Sequence, residues 1–120
     1  MRAITVVPKS QELRLLEIPE PAIEAPTQVR ARMLEVGVCG TDREIVDGLY
    51  GEAPTASERL VLGHESLGEI IEAPRGSGFA PGELIVGIVR RPDPLPCPAC
   101  AVGEWDMCRN GGYTERGIKE

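Results

Sequence analysis

Val36-Gly37-Val38-Cys39-Gly40-Thr41-Asp42 decides how the rest of the chain is read, because an apolar run ends there in a thiol, a hydroxyl and a carboxylate. Upstream of it, Gln28 to Val38 alternates, with Val29, Ala31 and Met33 on one side and Arg30, Arg32 and Leu34 on the other. That two-residue period is a strand's, so a strand delivers Cys39. Downstream, Thr41-Asp42-Arg43-Glu44 has the spacing of a capping box, and Gly48 follows Glu44-Ile45-Val46-Asp47. The spacing predicts one short helix capped by Thr41.

Gly63-His64-Glu65 is the natural partner of this stretch, standing directly after the apolar run Leu60-Val61-Leu62 and holding the chain's only histidine. A thiolate, an imidazole and a carboxylate drawn from two segments are the ligand set of a borderline metal. Three protein ligands with one position open is the plan of a catalytic zinc site. Each residue also has an ordinary structural use. Cysteine is often a small buried hydrophobe, a lone histidine is often a core or surface residue, and a capping threonine is worth about 1 kcal/mol. A carboxylate in a first helical turn is favoured by the macrodipole. The uses are compatible: Thr41 can cap and still pass a proton toward a metal-bound oxygen, and Asp42 can hold the far nitrogen of His64.

The 120 residues are one domain's worth, too few for a catalytic domain together with a cofactor domain. Nineteen acidic against 13 basic residues leave a net charge of -6, which argues against nucleic acid or an anionic membrane as partner. Aromatics make up only 3%, while Gly (14) and Pro (11) are frequent, so short strands and turns are expected over long helices. Arg2 to Val7 and Leu13 to Ile18 read as a hairpin, and Pro19 to Pro26 as an extended connection. Leu67 to Glu72 and Glu83 to Val89 read as further strands. No apolar run reaches the roughly 20 residues of a membrane span, and Met1 to Lys9 lacks a signal peptide's apolar stretch. A cytoplasmic location with reduced or metal-bound thiols is therefore expected.

From Arg90 four prolines keep the chain from regular structure, and something other than a core must hold it. Cys97-x-x-Cys100 followed by Cys108 places three thiolates in that loop, and Asp93 is the nearby candidate for a fourth ligand of a closed structural zinc site. A thioredoxin-like redox use of Cys97 and Cys100 is disfavoured by Pro98 and by the expected lack of a following helix. Gly76-Ser77-Gly78 is not a dinucleotide loop, since Pro81 stands where a third glycine belongs.

With these residues in view, the chain resembles the N-terminal GroES-like catalytic domain of zinc-dependent medium-chain alcohol dehydrogenases, and within them the archaeal-type glucose 1-dehydrogenase branch. The likeness rests on Val36 to Val46, Leu62-Gly63-His64-Glu65, Val89-Arg90-Arg91, Asp106-Met107-Cys108 and Tyr113-Thr114-Glu115-Arg116-Gly117-Ile118. It implies a mainly β, partly open GroES-like barrel over residues 1–120, with short helices and a structural-zinc lobe at 90–112. It implies catalytic zinc on Cys39, His64 and Glu65, structural zinc at Cys97, Cys100 and Cys108 with Asp93, Thr41 at the substrate hydroxyl, and Glu115 on a sugar hydroxyl. Asp93 stands near the place of the family's first lobe cysteine, and Val89 in the place of a sugar-contacting asparagine.

The resemblance further implies an aldose, other polyol or alcohol as substrate, NAD or NADP as hydride acceptor, and a homo-oligomer for the full-length enzyme. The nicotinamide-binding Rossmann domain of that family is absent from these residues, so the chain is expected to be the inactive catalytic portion of such an enzyme. Two other readings remain beside it. One is a non-catalytic GroES-like binding module; the other is a structural fragment stapled by zinc at Cys97, Cys100 and Cys108.

Overall fold

The computed structural model describes residues 1–120. Strands β1 (Arg2–Val7) and β2 (Glu12–Glu17) form the antiparallel hairpin expected at the start, one residue earlier than Leu13 on the return side. Strand β4 (Leu60–Val61) adds to the other edge of β1. A second sheet is built from β3 (Arg30–Gly37), β5 (Glu65–Glu72) and β6 (Leu84–Val86) in the order β3-β5-β6. A third, two-stranded sheet pairs β7 (Arg90–Arg91) with β8 (Thr114–Glu115). The three sheets do not join into one closed barrel.

Four residues far apart in sequence make the hydrophobic core: Val6, Ile45, Leu60 and Ile118, with Ala53, Leu62 and Val89 packed against them. Each side chain buried in this way contributes roughly 1.5–3 kcal/mol. The core thus fastens the hairpin, the helix after Cys39, the strand before His64 and the end of the chain to one another. The segment carrying Ile118 lies tightly against that strand. Gly117 adopts φ 72, and a Cβ there would come within 3.2 Å of the backbone nitrogens of Gly63 and His64.

In β3 the alternation read from the sequence holds as far as Met33 and is then reset. Met33 pairs with Gly68, but Glu35 pairs with Leu67, so Leu34 is an extra residue in a bulge. The bulge turns Glu35 and Gly37 to the opposite face from Met33, where they join Leu67 and Glu65 across the ladder. Much of the apolar surface of this sheet faces solvent, including Val36, Val86 and the nearby Val38.

Two expectations are corrected. The helix after Cys39 is α1 (Gly40–Val46), and its cap is Cys39, not Thr41. The Cys39 thiol accepts from the Thr41 N–H at 3.4 Å, and the Asp42 carboxylate accepts from the Cys39 N–H at 2.8 Å. Asp42, three residues after the cap, therefore fills the reciprocal position that Glu44 was expected to take. The loop from Arg90 is also more regular than its prolines suggested. It contains β7, a four-residue helix α2 (Pro98–Ala101) and a 3₁₀ turn at Trp105–Met107. Pro98 opens α2, where its missing N–H costs nothing and its fixed φ suits the helix.

Candidate metal centre and adjoining cleft

Cys39 reaches the site from just beyond the end of β3, and His64 from the position immediately before β5. Gly63, at φ 126, makes the turn between β4 and His64 in a conformation that side chains disfavour. The result brings Cys39 Sγ to 3.2 Å from His64 Nε2. Glu65 completes the cluster, and the three potential ligand atoms lie within 4.8 Å of one another. His64 is buried, Cys39 half-buried and Glu65 exposed, so the group opens to one side.

The other ring nitrogen, His64 Nδ1, faces Asp42 Oδ1 at 3.5 Å. Both atoms are buried and neither makes a hydrogen bond, while Asp42 Oδ2 is held by the cap of α1. This arrangement directs Nε2 toward Cys39 and holds a carboxylate behind the ring, as a metal-ligating histidine requires. A soft thiolate, an imidazole and a carboxylate converging from different elements fit zinc, with a side left open. Thr41 lies in the first turn of α1, and its hydroxyl makes no hydrogen bond within the chain. It is free for another partner.

An open cleft of about 360 Å³ begins at His64 and Glu65. Glu35, Gly37, Ser66, Leu67, Val86, Gly87 and Val89 form the rest of its lining. Val89 contributes to the apolar wall. Glu115 is not among the lining residues. It is a buried residue of β8 paired with Arg90 of β7, and its Oε1 accepts from Arg90 Nε at 3.1 Å and Nη2 at 2.7 Å. Oε2 accepts from the Tyr50 hydroxyl at 3.2 Å. The Arg90 guanidinium also lies 4.2 Å over the Tyr113 ring. Burial, then the negative charge of Glu115, pushes the Tyr50 phenol upward.

In the second cluster, Cys97, Cys100 and Cys108 bring their sulfurs within 4.8 Å of one another. Cys97 and Cys100 are buried, and their sulfurs are 3.7 Å apart. The Arg109 N–H, and after it that of Cys100, hold the Cys97 thiol down at about 6, whereas burial pushes the Cys100 thiol up. Asp93 stands at the edge of this group. One of its oxygens accepts from the Leu95 N–H at 2.7 Å; the other accepts from the Gly112 N–H at 3.0 Å and lies 3.8 Å from Cys108 Sγ. Its carboxylate is thus tied to the backbone on both sides. Asp93, Glu115 and the cleft residues are not brought into one cluster.

Sequence reasoning passed over Asp42 as a capping partner of Cys39, Gly37 and Gly117 as points of close approach, and Arg90 with Tyr50 as the holders of Glu115. The Cys39-x-x-Asp42 spacing carried the first signal, but cysteine is not a residue ordinarily read as a cap. The pairing around Glu115 had no local signal, since its partners come from distant segments.

This arrangement of short sheets, with a cysteine at one strand's end and a histidine at the start of another, is that of a known domain. The chain belongs to the family described as the alcohol dehydrogenase GroES-like domain, whose profile matches residues 25–119. Among its relatives, a glucose 1-dehydrogenase of Methanocella arvoryzae is 46% identical over 99% of this chain and 33% of its own length. One of Thermoproteus tenax is 47% identical over 98% of this chain and 33% of its own. The Haloferax mediterranei glucose dehydrogenase, solved in complex with NADP, Zn and gluconolactone, superposes with a TM-score of 0.84 at 35% identity, covering 99% of this chain and 33% of that one. The chain spans about a third of the length of the relatives it matches. No helix of the fold is long and apolar enough to cross a membrane.

Proposed function

We propose that residues 1–120 form the catalytic domain of a zinc-dependent dehydrogenase that oxidises an aldose, or a related polyol or alcohol, with NAD or NADP. The observation that carries this reading is the approach of Cys39 Sγ to His64 Nε2 at 3.2 Å, at the head of an open cleft. Its likeness to glucose dehydrogenases, one of them solved with NADP, Zn and gluconolactone, supports the substrate and cofactor class. In this reading Cys39, His64 and Glu65 hold the catalytic zinc. The chemistry zinc supplies when bound is Lewis-acid polarisation of the reacting oxygen.

The chain's own residues then have distinct tasks. Asp42 fixes the His64 ring through Nδ1. Thr41, whose hydroxyl is unengaged, relays the proton of the substrate hydroxyl, accepting it while passing its own to solvent water. Leu67, Val86 and Val89 give the cleft an apolar wall beside the reacting carbon. Glu115 contacts a sugar hydroxyl: a carboxylate has about four acceptor positions, and Arg90 and Tyr50 use three of them. Residues 90–112 form a structural-zinc lobe on Cys97, Cys100 and Cys108, with Asp93 beside it. A nicotinamide, when bound by a Rossmann domain outside residues 1–120, would supply the hydride acceptor. A cytoplasmic location, consistent with four unpaired cysteines, and a homo-oligomeric full-length enzyme complete the reading.

Zinc titration of the metal-free chain, followed through the ring-proton NMR signals of its single histidine, tests the site. Saturable shifts that Cys39→Ser abolishes are the expected result; unshifted ring signals at full zinc loading sink the catalytic-site assignment. The activity is tested on the full-length enzyme, where reduction of NAD or NADP by glucose or another aldose is expected.

A further inference from the structure

Glu65 occupies a place that exists only because position 37 has no side chain. The two residues are direct partners in the β3–β5 ladder, and the bulge at Leu34 turns Gly37 to the cleft face, where Glu65 stands opposite it. A Cβ built on Gly37 would stand 3.0 Å from Glu65 Cβ and would collide with the Glu65 carboxylate at Oε2. The φ of Gly37 is not among the positive ones, so any L-residue satisfies the backbone there. The glycine is therefore required by the space above it and not by its conformation.

Resting on the zinc reading given above, we propose that Gly37 is a positioning residue: its bare Cα admits the Glu65 carboxylate to the ligand group of Cys39 and His64. The carboxylate lies back over the glycine, and this brings its oxygen within 4.8 Å of both other ligand atoms. An alanine at 37 pushes the flexible end of Glu65 outward into the open cleft and makes the Glu65 Cβ give by a few tenths of an ångström. The strand pairing and the core, which lies elsewhere, are left in place. Cys39 and His64 keep their mutual distance, since their positions are set by α1, Gly63 and Gly117. The ligand group loses its carboxylate alone.

The test compares wild type, Gly37→Ala, Glu65→Gln, the double variant and Cys39→Ser by zinc titration on the His64 ring signals. Because the chain has one histidine, these signals report this site and not the cysteine lobe. Changes around a ligand set typically cost 10- to 100-fold in metal affinity. Gly37→Ala is expected to weaken zinc about 10-fold or more, with thermal unfolding close to wild type. If Gly37 acts through Glu65, the double variant binds zinc as Glu65→Gln does, with no further loss. Wild-type affinity in Gly37→Ala, or losses that add in the double variant, overturns the proposal. Zinc shifts that survive unchanged in Cys39→Ser overturn instead the metal site on which it rests. Gly37→Ser, which adds one atom more, gives a loss at least as large as alanine; a recovery with serine also counts against the steric argument.

Discussion

Asp42 Oδ1 faces His64 Nδ1 across 3.5 Å inside the fold, while Asp42 Oδ2 closes the first turn of α1 on Cys39. One carboxylate thus ties the two candidate ligands to a single helix start. In Asp42→Asn a capping oxygen remains, so the stability loss should stay near 1 kcal/mol. Zinc affinity should fall by about 10- to 100-fold, because the charge behind the ring is gone. Zinc titration and urea unfolding of the same variant separate the two effects. Unchanged zinc affinity would reduce Asp42 to a helix cap.

Thr41 has been relieved of the capping role, which makes its chemistry separable. Thr41→Val preserves shape and removes only a hydroxyl that has no partner in the chain. The variant should unfold within about 0.5 kcal/mol of wild type, as surface or uncommitted substitutions do. In the full-length enzyme the rate of the hydride-transfer step should fall by about 10²–10⁴, the usual worth of general acid–base help. Single-turnover kinetics measure it, and an unaltered rate places the proton path elsewhere.

Zinc removal should act differently at the two clusters. Cys97 and Cys100 are buried and hold α2 and the 3₁₀ turn together, whereas the Cys39 cluster is open on one side. Metal bound only in the folded state contributes directly to folding free energy. Cys97→Ser should therefore lower the thermal midpoint of the zinc-loaded chain more than Cys39→Ser, and a chelator should abolish the difference. Equal midpoints for the two variants before chelation contradict two distinct sites.

Tyr50 gives the fold a shallow alkaline limit. Its phenol is pushed above the ordinary value of 10.0 by burial and then by Glu115, so the fold favours the neutral form. That contribution is complete below about pH 10 and is lost as pH rises through the higher folded value. Since Tyr50 keeps 40% of its surface in solvent, the fall is modest. Urea midpoints should decline less steeply as pH rises above about 10 in Tyr50→Phe than in wild type. Parallel curves would remove Tyr50 from the account.

The elements legible in the sequence were those whose cause is local. The alternation from Gln28 made β3 readable as a strand ending at Cys39, and the two β-rich runs around Pro8 to Glu12 made the first hairpin readable. The motifs around Cys39 and His64 were visible as ligand types, and their meeting at 3.2 Å agrees with that reading. The start of α1 was misplaced because a thiol can accept from an N–H as a hydroxyl does, which the usual capping residues conceal. The regular structure beyond Arg90 was missed because β7 finds its partner in Thr114–Glu115, across the whole cysteine lobe.

Residue identity by itself determined which atoms could bind a metal, because a thiol, an imidazole and a carboxylate keep their chemistry wherever they stand. Which of them share a site was decided by tertiary structure. Ile118 packs in the core with Ile45 and Leu60, Gly117 presses on the Gly63–His64 backbone, and the Leu34 bulge turns Gly37 under Glu65. Glu115 shows the same division from the other side: the family resemblance singled it out, but only the fold supplied its partners Arg90 and Tyr50. Such contacts join residues far apart in sequence, and the steric and packing terms that select them exist only once the chain has closed on itself.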